Sequence, residues 1–573
     1  MHKVGIQGSG VAVSHLRFDA ASIVDENIKD EIKAHLDAES INSYLQHPID
    51  SSVIKSRKER VTKGWLLKTK SIAGYDQDPT SFADEASENA IKMARIDPSE
   101  IGVVTSGSES KPYAVGTMAR HTASHLGVGE RVFIADLEGA CNSGMQGATF
   151  IESMILSGKV NYGLAVGSDI SQAKRGDALE YSVGAGAGAL VLGRADDESI
   201  GVINDIRPQS SLFLDFWRRE GQEYPSHFGS TTTEAYAYTV LKSLENLLMS
   251  NPSMKLSEFD YIITHQPNGY VPSLTMKIAA GLRNDPFALK DLVEDPDVRF
   301  RMKLTEGEIK TKFDPYLYVR EVGNTYAGAI LIALNGVFQK ANPGENVLAL
   351  SYGSGAYSNA AWITVHDGIE EKRNLVPSIN DYIERMQPID ITGYRSFANF
   401  RYLRERKIES GYKGTIGTII PDDHDGIEIA LCHGCERIYF PVRDKCLDPK
   451  CRESKAKFET KKYPFTGTLE SFRKLELSKR GEAVISQLLS RVMTIRSPTF
   501  DVYNGGEVMI TDTRIEDLKK GMPVEMITRA LDYRGKDDLI LYGPAYRPMF
   551  VRAYPGYQKN EIQPQNQKIE VPT

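Results

Sequence analysis

Short apolar runs alternate with segments of helical periodicity from the start of the chain to residue 367. Runs typical of buried strands occupy residues 101–106, 132–135, 162–167, 259–264, 346–351 and 360–365. Small and apolar residues recur at helical spacing at residues 81–96, 117–126, 145–156, 272–282 and 326–337. Strands that alternate with helices in this way predict a layered α/β fold.

The second half of this region repeats the rhythm of the first, which predicts a duplicated fold with pseudo-repeats at about 1–195 and 196–367. Cys141 and Asn324 each stand between a short strand-like run and a helix rich in Ala, Gly and Ile. A duplication would bring these two positions together near a pseudo-twofold axis.

Beyond residue 367 the pattern changes. Residues 368–390 are charged and lose the strand rhythm, so a linker is predicted there. Residues 391–462 hold a helical lead-in and a window of cysteines, and residues 463–556 show short β-type runs between polar turns, as in a small barrel. The tail at 557–573 is rich in Gln, Asn and Pro, which predicts disorder.

The chain has 573 residues and a formal net charge of −7. This acidic balance argues against nucleic acid or an anionic membrane surface as a partner. The first residues lack the basic-then-apolar pattern of a signal peptide, and no apolar run approaches the roughly 20 residues that cross a bilayer. A cytoplasmic protein with neither a nucleic-acid nor a membrane partner is predicted.

Four of the five cysteines fall in one window. Cys432 and Cys435 form a C-x2-C pair, and Cys446 and Cys451 form a C-x4-C pair ten residues later. Two such knuckles bring four thiolates into a tetrahedral cage, which suits a structural zinc ion because the protein fills every ligand position. Iron on the same four ligands, or a reduced cluster without metal, are the alternatives.

Cys141 is the one thiol outside that window. An apolar run precedes it and a helical segment follows, so the thiol lies at or near a helix N-terminus, where unpaired N–H groups and the helix dipole favour a thiolate. A lowered pKa is therefore predicted for Cys141, as in an acyl-accepting nucleophile. A buried, inert cysteine is the alternative that this stretch alone leaves open.

Three further polar residues stand beside predicted strands or helices, where the sites of α/β folds collect. Glu109 follows the run at 101–106, His265 follows the run at 259–264, and Asn324 precedes a helix. A glycine-rich loop at 352–356 offers backbone N–H groups to an oxyanion. Taken singly, a solvated Glu, a capping or core His and a turn Asn are the alternatives.

The order Glu109, Cys141, His265 and Asn324, followed by the loop at 352–356, resembles the thiolase superfamily of condensing enzymes. Within it the chain resembles hydroxymethylglutaryl-CoA synthases, above all the archaeal type. The likeness covers residues 1–367, implies a duplicated five-layered αβαβα fold, and is carried by residues 107–110, 112–115, 140–141, 215–218, 223–225, 265–268 and 323–326. Ketoacyl synthase III enzymes share the Cys, His and Asn but lack the glutamate, so Glu109 favours the synthase.

The resemblance implies a role for each residue. Cys141 would accept an acyl group from acyl-CoA as a thioester, and Glu109 would remove a proton from that group to give an enolate. His265 would orient the second substrate, such as acetoacetyl-CoA, and Asn324 would hydrogen-bond the thioester oxygen. Substrate contacts are expected from Tyr352, Gly353, Ser354 and Asn268. The superfamily also implies a homodimer.

Residues 390–556 resemble a second family, the DUF35 group of acyl-CoA-associated proteins, which carry a rubredoxin-like zinc ribbon followed by an OB-fold. Such proteins usually accompany thiolases or synthases as separate chains. The resemblance therefore implies a module fused to its enzyme and a complex with a thiolase.

The sequence departs from the synthase pattern at residues 142–145, and at Gly269 and Tyr270, where a lysine is often expected. Both places lie near expected acyl or CoA contacts, so a larger or carrier-bound acyl group fits equally well. A ketoacyl synthase III-like Claisen enzyme or C-acyltransferase remains an alternative, and so does a non-catalytic scaffold that channels acyl-CoA.

Overall fold

The computed structural model divides the chain into two compact units, Met1–Leu403 and Arg404–Thr573. The residues described are 3–37, 51–74, 76–170, 173–219, 221–222, 224–283, 293, 295–398, 427–433, 438–439, 458–463, 466–479, 482–497, 500–503, 508–534 and 539–550. The predicted disordered tail at 557–573 lies outside them, as do Cys435, Cys446 and Cys451.

The first unit alternates strands and helices, as the apolar pattern predicts. Its strands are Val4–Val13 (β1), Leu16–Asp19 (β2), Thr69–Ile72 (β3), Ile101–Gly107 (β4), Phe133–Leu137 (β5), Tyr162–Ile170 (β6), Ala185–Arg194 (β7), Gly201–Phe213 (β8), Phe216–Trp217 (β9), Ser226–His227 (β10), Tyr261–Thr264 (β11), Asn346–Leu350 (β12), Gly355–Val365 (β13) and Gln387–Pro388 (β14). Its helices are Ser22–Asp37 (α1), Ser51–Glu59 (α2), Pro79–Ala94 (α3), Met118–His125 (α4), Ser143–Leu156 (α5), Gly229–Ser250 (α6), Tyr270–Ala279 (α7), Pro296–Arg301 (α8), Glu306–Lys312 (α9), Val319–Val322 (α10), Ala329–Phe338 (α11), Ile369–Lys372 (α12), Ile379–Arg385 (α13) and Ile391–Ala398 (α14).

Nine of these strands form one sheet in the order β11-β12-β13-β8-β1-β7-β6-β4-β5. In the first half β1 pairs antiparallel with β7, β7 antiparallel with β6, and β6 parallel with β4. In the second half β8, β13, β12 and β11 repeat that sequence of pairings. Antiparallel pairing of β1 with β8 joins the two halves. The halves thus share one strand order, as a duplicated fold would.

Small residues on β1 and β7 let helices approach both faces of the first half-sheet. A Cβ at Gly10 of β1 would lie 2.0 Å from the Ala86 carbonyl oxygen of α3. A Cβ at Gly188 of β7 would lie 2.6 Å from Leu331 Cβ of α11. Gly10 pairs with Ala189, the neighbour of Gly188, and successive strand residues point to opposite faces. The half-sheet is therefore covered by α3 on one face and by α11 on the other.

The second half-sheet is covered in the same manner. Leu244 of α6 packs in one cluster with Leu348 and Ala360. Phe338 of α11 lies on the other face, 3.2 Å from the position of a Cβ on Gly201. Helix α11 is buried along its whole length and also contacts α5. The layers therefore run α3, half-sheet, α5 with α11, half-sheet, α6, which confirms the predicted mixed α/β layering.

Residues 368–390 are not an extended linker in the structure. They contain α12 and α13, and β14 pairs with β2. Ile379 and Tyr382 are buried, and the Tyr382 hydroxyl donates to Glu85 Oε1 of α3 at 2.5 Å. Glu370, Glu371, Glu384 and Asp390 of this segment are exposed, whereas Lys372 and a few apolar anchors are buried in the first unit. Helix α14, placed by the sequence in the lead-in to the second domain, also belongs to this unit.

The second unit is built of strands in its described part. They are Ile427–Cys432 (β15), Ile438–Tyr439 (β16), Phe458–Tyr463 (β17), Thr466–Lys479 (β18), Glu482–Ser497 (β19), Phe500–Tyr503 (β20), Val508–Ile510 (β21), Pro523–Arg534 (β22) and Leu539–Pro548 (β23). Strand β15 pairs with β16 and β17 in a small sheet. Strands β18, β22, β23, β21 and β19 follow one another in a second sheet, and β19 pairs back with β18 to close a ring.

Across the described ranges, no helix combines the length and the apolar composition that a membrane span requires.

Candidate active site

Cys141 lies in a short 3-10 turn, Ala140–Asn142, which leads directly into α5. Ala140, the first residue of the turn, has a φ of +48°, a left-handed conformation that costs free energy for a residue other than glycine. Cys141 is 6% exposed and packs with Val183 and Tyr326. The strand-to-helix junction predicted from the sequence is therefore present, and it holds the thiol in a nearly closed site.

Glu109 lies in the loop that follows β4, and its carboxylate meets the thiol directly. The Cys141 Sγ donates a hydrogen bond to Glu109 Oε1 at 2.9 Å. Arg218 donates to the Glu109 backbone carbonyl oxygen at 3.2 Å from the exposed side of the site. The candidate nucleophile and the candidate base are thus in contact, although 32 residues separate them in the sequence.

Burial and like charge shift both pKa values upward. Burial and then the neighbouring Asp169 raise the pKa of Glu109 to about 8. Burial and the Glu109 carboxylate raise the pKa of the Cys141 thiol well above its usual value. The lowered thiol pKa expected from the helix N-terminus is therefore not found, because desolvation and an adjacent carboxylate outweigh the helix dipole. Glu109 is placed to accept the thiol proton, since its Oε1 is the acceptor in the hydrogen bond from Cys141 Sγ.

Asp169 is a site residue that the sequence analysis missed. It is fully buried at the end of β6. Its Oδ1 accepts hydrogen bonds from Ser108 Oγ, from the Glu109 backbone N–H and from Ser110 Oγ at 3.0, 2.8 and 2.5 Å. Its Oδ2 accepts from the Ala327 backbone N–H at 3.0 Å. The Asp169 carboxylate thus holds the loop of residues 108–110 that carries Glu109, here called the base loop, and links this loop of the first repeat to Ala327 of the second repeat.

The turn before α11 repeats the turn before α5. Tyr326 begins the 3-10 turn Tyr326–Gly328 with a φ of +44°, as Ala140 begins its own. Counted from these two residues, Ala327 is the positional equivalent of Cys141. Ala327, rather than Asn324, is therefore the counterpart of Cys141 in the second repeat, and Asn324 lies three residues upstream of it.

Asn324 is buried and tied by its backbone to the segment beside the thiol. Its N–H donates to the Ser182 carbonyl oxygen at 2.6 Å, and its own carbonyl accepts from the Gly184 N–H at 2.9 Å. Its side-chain Oδ1 accepts from the Tyr326 N–H at 3.0 Å. Val183, between those two partners, packs on Cys141. Asn324 thus forms part of the wall beside the thiol.

His265 follows β11 and is almost wholly buried. Its backbone carbonyl accepts a hydrogen bond from the Tyr236 hydroxyl at 2.6 Å, and its ring lies beside that of Tyr352 with centroids 6.4 Å apart. Burial lowers the pKa of His265 to about 3, so the imidazole is neutral at ordinary pH. A neutral imidazole can donate from one nitrogen and accept at the other, which suits orientation of a carbonyl substrate.

The loop at 352–356 is held by a second buried carboxylate that the sequence analysis did not assign a role. Asp215 Oδ1 accepts from the Gly355 N–H at 2.9 Å, and Oδ2 accepts from the Tyr352 hydroxyl at 3.2 Å. Ser354, at the tip of this loop, is half-buried. Asp215 lies in a stretch that carried the family likeness, but nothing in its sequence context indicated this contact.

Gly353 lies directly against the turn that carries Cys141. A Cβ at this position would lie 2.3 Å from the Gly139 carbonyl oxygen and 2.9 Å from the Asn142 backbone N. The structure therefore brings the loop expected to contact substrate to the nucleophile, and the approach requires a glycine.

We expect Gly353→Ala to slow acyl transfer to Cys141 by about 10- to 100-fold, because the methyl group must displace the turn that aims the thiol. The measurement is the rate of acyl-adduct formation by intact-protein mass spectrometry. Gly129→Ala is the matched control, since a Cβ there meets nothing within 4 Å. Equal rates for the two variants would contradict the steric argument.

Asn268, for which a substrate contact stays a prediction, makes a structural contact. Its Oδ1 accepts from the Tyr270 and Val271 N–H groups, both at 2.9 Å, and so caps the start of α7. As for metal, the described ranges contain no cluster of three or more His, Cys, Asp or Glu side chains suited to an ion. Of the four window cysteines, only Cys432 falls within them, and it is buried at the end of β15.

Comparison with known proteins agrees with this geometry. A family model for the N-terminal domain of thiolases matches residues 70–188, which include Glu109, Cys141 and Asp169. The hydroxymethylglutaryl-CoA synthase of Thermoplasma volcanium is 36% identical over 340 residues, which are 59% of this chain and 89% of that relative. The chain belongs to the hydroxymethylglutaryl-CoA synthase family. The family member from Methanocaldococcus jannaschii is 37% identical over 344 residues, 60% of this chain and 90% of its own length.

Two solved structures share the fold of the first unit. One, titled as MvaS in complex with 3-hydroxy-3-methylglutaryl coenzyme A, has a TM-score of 0.56 at 20% identity and covers 69% of this chain and 92% of that one. Another, complexed with CoA, has a TM-score of 0.53 at 19% identity and covers 69% and 90%. The relatives at 36% and 37% identity confirm the predicted resemblance to hydroxymethylglutaryl-CoA synthases, and the solved structures confirm the fold.

Proposed function

We propose that this chain is an acyl-CoA condensing enzyme of the hydroxymethylglutaryl-CoA synthase type, which forms a carbon–carbon bond by way of an acyl-Cys141 thioester. The observation that carries the proposal is the part-buried hydrogen bond of 2.9 Å between Cys141 Sγ and Glu109 Oε1. A nucleophile in contact with a base of raised pKa is the arrangement that acyl transfer followed by carbon deprotonation requires.

Acylation comes first. Glu109 takes the thiol proton, and the Cys141 sulfur attacks the carbonyl carbon of the acyl-CoA thioester. The tetrahedral oxyanion collapses, the bond to the CoA sulfur breaks, and the proton held by Glu109 leaves with CoA. The products are acyl-Cys141, free CoA and an ionised Glu109.

Condensation then uses the same carboxylate. Glu109 removes a proton from the α-carbon of the acyl group, and the resulting enolate attacks the ketone carbon of the second substrate. The protonated Glu109 returns its proton to the new alkoxide, and water hydrolyses the thioester to free Cys141. Neutral His265 orients the ketone, while Asn324 and the loop around Ser354 hold the thioester oxygen or a carboxyl group.

The experiment that tests this function is intact-protein mass spectrometry with a panel of acyl-CoA thioesters. We expect one acyl mass increment, mapped to Cys141, and product after a β-ketoacyl-CoA is added. Cys141→Ala should show neither. Acyl groups on a carrier protein form a second panel, because residues 142–145 depart from the synthase pattern. If no thioester of either kind labels Cys141, the condensing function is wrong.

We also propose that the second unit is a zinc ribbon followed by an OB-fold of the DUF35 type. The small sheet of β15, β16 and β17, with Cys432 at the end of β15, supports the ribbon. The ring β18-β19-β21-β23-β22 supports a five-stranded barrel, and its β21–β23 pair is parallel. The four thiolates of the cysteine window, Cys432, Cys435, Cys446 and Cys451, suit Zn²⁺, which would stabilise the ribbon without entering catalysis.

We expect the purified chain to carry one zinc ion, measured by plasma mass spectrometry against protein concentration. Cys446→Ser should lose most of the metal because it breaks the four-thiolate cage. Cys141→Ser is the matched control and should retain it. Iron in place of zinc would colour the protein, and a metal content equally low in all three proteins would rule out the ribbon site.

A homodimer is supported by the first unit. Strand β5 is the last strand of the nine-stranded sheet, and Phe133 on this strand and Phe150 and Leu156 on α5 expose apolar surface. Pairing of two such edges would cover that surface. The fused module supports a complex with a thiolase, which would supply a β-ketoacyl-CoA acceptor.

A further inference from the structure

Three ionisable side chains that the proposed mechanism does not use are buried together behind the site. Lys70 of β3, Glu180 and Tyr394 of α14 are each less than 8% exposed. Lys70 Nζ donates to the Tyr394 hydroxyl at 3.1 Å and to the Glu180 backbone carbonyl. The Tyr394 hydroxyl in turn donates to Glu180 Oε1 at 3.1 Å. The Tyr394 oxygen thus joins an ammonium group and a carboxylate inside the protein.

This network supports the wall beside the nucleophile. Glu180 lies in the turn Ala178–Tyr181, and the next residues, Ser182 to Gly184, hold the backbone of Asn324 on both sides. Glu180 Oε2 also accepts from the Gly176 N–H at 2.8 Å, which anchors the start of the same segment. The turn that holds Glu180 therefore leads directly into Val183, which packs on Cys141, and into the hydrogen bonds to Asn324.

Lys70 contacts the other segment of that wall, the residues just before Asn324. A Cβ at Gly323, the residue before Asn324, would lie 3.1 Å from Lys70 Cβ and 2.8 Å from the Ser182 carbonyl oxygen. Ser71, next to Lys70, donates to the carbonyl oxygens of Ala185 and Val322 at 2.6 and 2.9 Å. Strand β3 thus contacts both segments of the wall, residues 182–185 and residues 322–324. Burial lowers the pKa of Lys70 to about 7, against the pull of Glu180.

Tyr394 reaches this place from the C-terminal end of the first unit. Its ring stacks on Phe18 of β2, with centroids 4.3 Å apart and planes inclined by 8°. Strand β14, just before α14, pairs with β2, which pairs with β3. Arg395 adds an ion pair with Glu26. Stacking therefore fixes the Tyr394 ring, and the Tyr394 hydroxyl makes the hydrogen bonds with Lys70 and Glu180.

We propose that Tyr394 is a positioning residue for the condensing site, whose hydroxyl joins Lys70 and Glu180 and so fixes the 180–184 segment and Asn324 beside Cys141. The inference rests on the proposed function, because Asn324 has a catalytic part only if Cys141 carries a thioester. A segment beyond the duplicated core would then set the geometry of the reaction.

Tyr394→Phe tests this proposal, since the ring keeps its stacking on Phe18 and only the hydroxyl is lost. We expect kcat for condensation to fall by about 10- to 100-fold with the KM for acyl-CoA nearly unchanged, because a misplaced Asn324 weakens transition-state rather than ground-state binding. Hydrogen exchange should quicken in peptides that cover 178–184 and 322–326.

Tyr382→Phe is the matched control. This tyrosine is also buried near the end of the first unit and also donates to a carboxylate, that of Glu85, but it does so on α3, away from the wall. Equal losses of kcat in the two variants, or no quickened exchange in Tyr394→Phe, would overturn the proposal. If Tyr394→Phe fails to fold, Glu180→Gln removes the charge and leaves one of the two donors, the Tyr394 hydroxyl or the Gly176 N–H, facing an amide nitrogen that cannot accept, and it should lower kcat likewise.

Alkylation of Cys141 by iodoacetamide separates this inference from the proposed function, because it needs no acyl-CoA. We expect faster alkylation in Tyr394→Phe than in Tyr382→Phe, since a loosened Val183 exposes the thiol. Faster alkylation in a protein that never forms acyl-Cys141 would support the positioning role and reject the condensing function. Equal alkylation rates would reject the positioning role.

Discussion

Glu109→Gln should form acyl-Cys141 slowly and should lose condensation by roughly 10² to 10⁴-fold, the range that a general acid–base group contributes. The glutamine keeps the size of the side chain and can still accept from the thiol, but it cannot take a proton from sulfur or from carbon. Because Glu109 is the carboxylate 2.9 Å from the Cys141 Sγ, both steps lose their base. Single-turnover mass spectrometry follows acylation, and product formation follows condensation.

The pH dependence gives a second readout of the same variant. Burial and Asp169 raise the pKa of Glu109 to about 8, so the base form grows as pH rises through about 8. The wild-type acylation rate should therefore increase across that pH range, and this rising limb of the pH–rate profile should be absent in Glu109→Gln. Glu138→Gln, which changes an exposed carboxylate three residues before Cys141, should retain both rate and limb. Condensation at the wild-type rate in Glu109→Gln would instead favour a Claisen enzyme that does not use this glutamate.

Asp169→Asn should lower kcat for condensation by about 10- to 100-fold and also destabilise the first unit by about 1–3 kcal/mol. Asp169 accepts hydrogen bonds from the base loop on one oxygen and from the Ala327 N–H on the other. The amide nitrogen of an asparagine cannot accept, so one of these two sides must lose its partner. Chemical denaturation and steady-state kinetics measure the two effects.

The loss of charge at Asp169 also has a signed effect on pH dependence. The like charge of Asp169 raises the pKa of Glu109, so its removal should lower that pKa and move the acid limb of the acylation rate to lower pH. Asp136→Asn is the control, because Asp136 of β5 likewise accepts from two backbone N–H groups, those of Met118 and Ala119 at the N-terminus of α4, but does not contact Glu109. An unchanged limb in Asp169→Asn would show that burial alone sets the Glu109 pKa.

The sequence predicts the layered fold and the two central residues of the site, Glu109 and Cys141. It does not predict the residues that hold these two side chains in place. Glu109 and Cys141 were identified by their order and by resemblance. Asp169 and Asp215 were not, because each binds backbone and hydroxyl groups that lie near it only after folding, many dozens of residues away. A buried carboxylate at a strand end looks like any other strand-end Asp in one sequence.

Two expectations failed for physical reasons that local sequence does not contain. The thiol pKa was expected to fall because a helix begins at Cys141, yet burial and Glu109 raise it. Residues 368–390 were expected to be a linker because charged residues dominate, yet sparse anchors such as Ile379 and Tyr382 bury that segment. In both cases tertiary contacts outweighed a correct local tendency.

The interface between the two repeats, here called the seam, runs through the candidate active site. Asp169 joins the Glu109 loop to Ala327 across it, and Gly353 contacts Gly139 across it. Under the proposed mechanism neither repeat would be a catalyst on its own, since Cys141 and Glu109 come from one repeat and the loop at 352–356 and Asn324 come from the other. After a duplication, the sequence of each repeat could change only in ways that were compatible with the other repeat. Chimaeras that exchange one repeat between family members should therefore fail unless both faces of this seam are exchanged together.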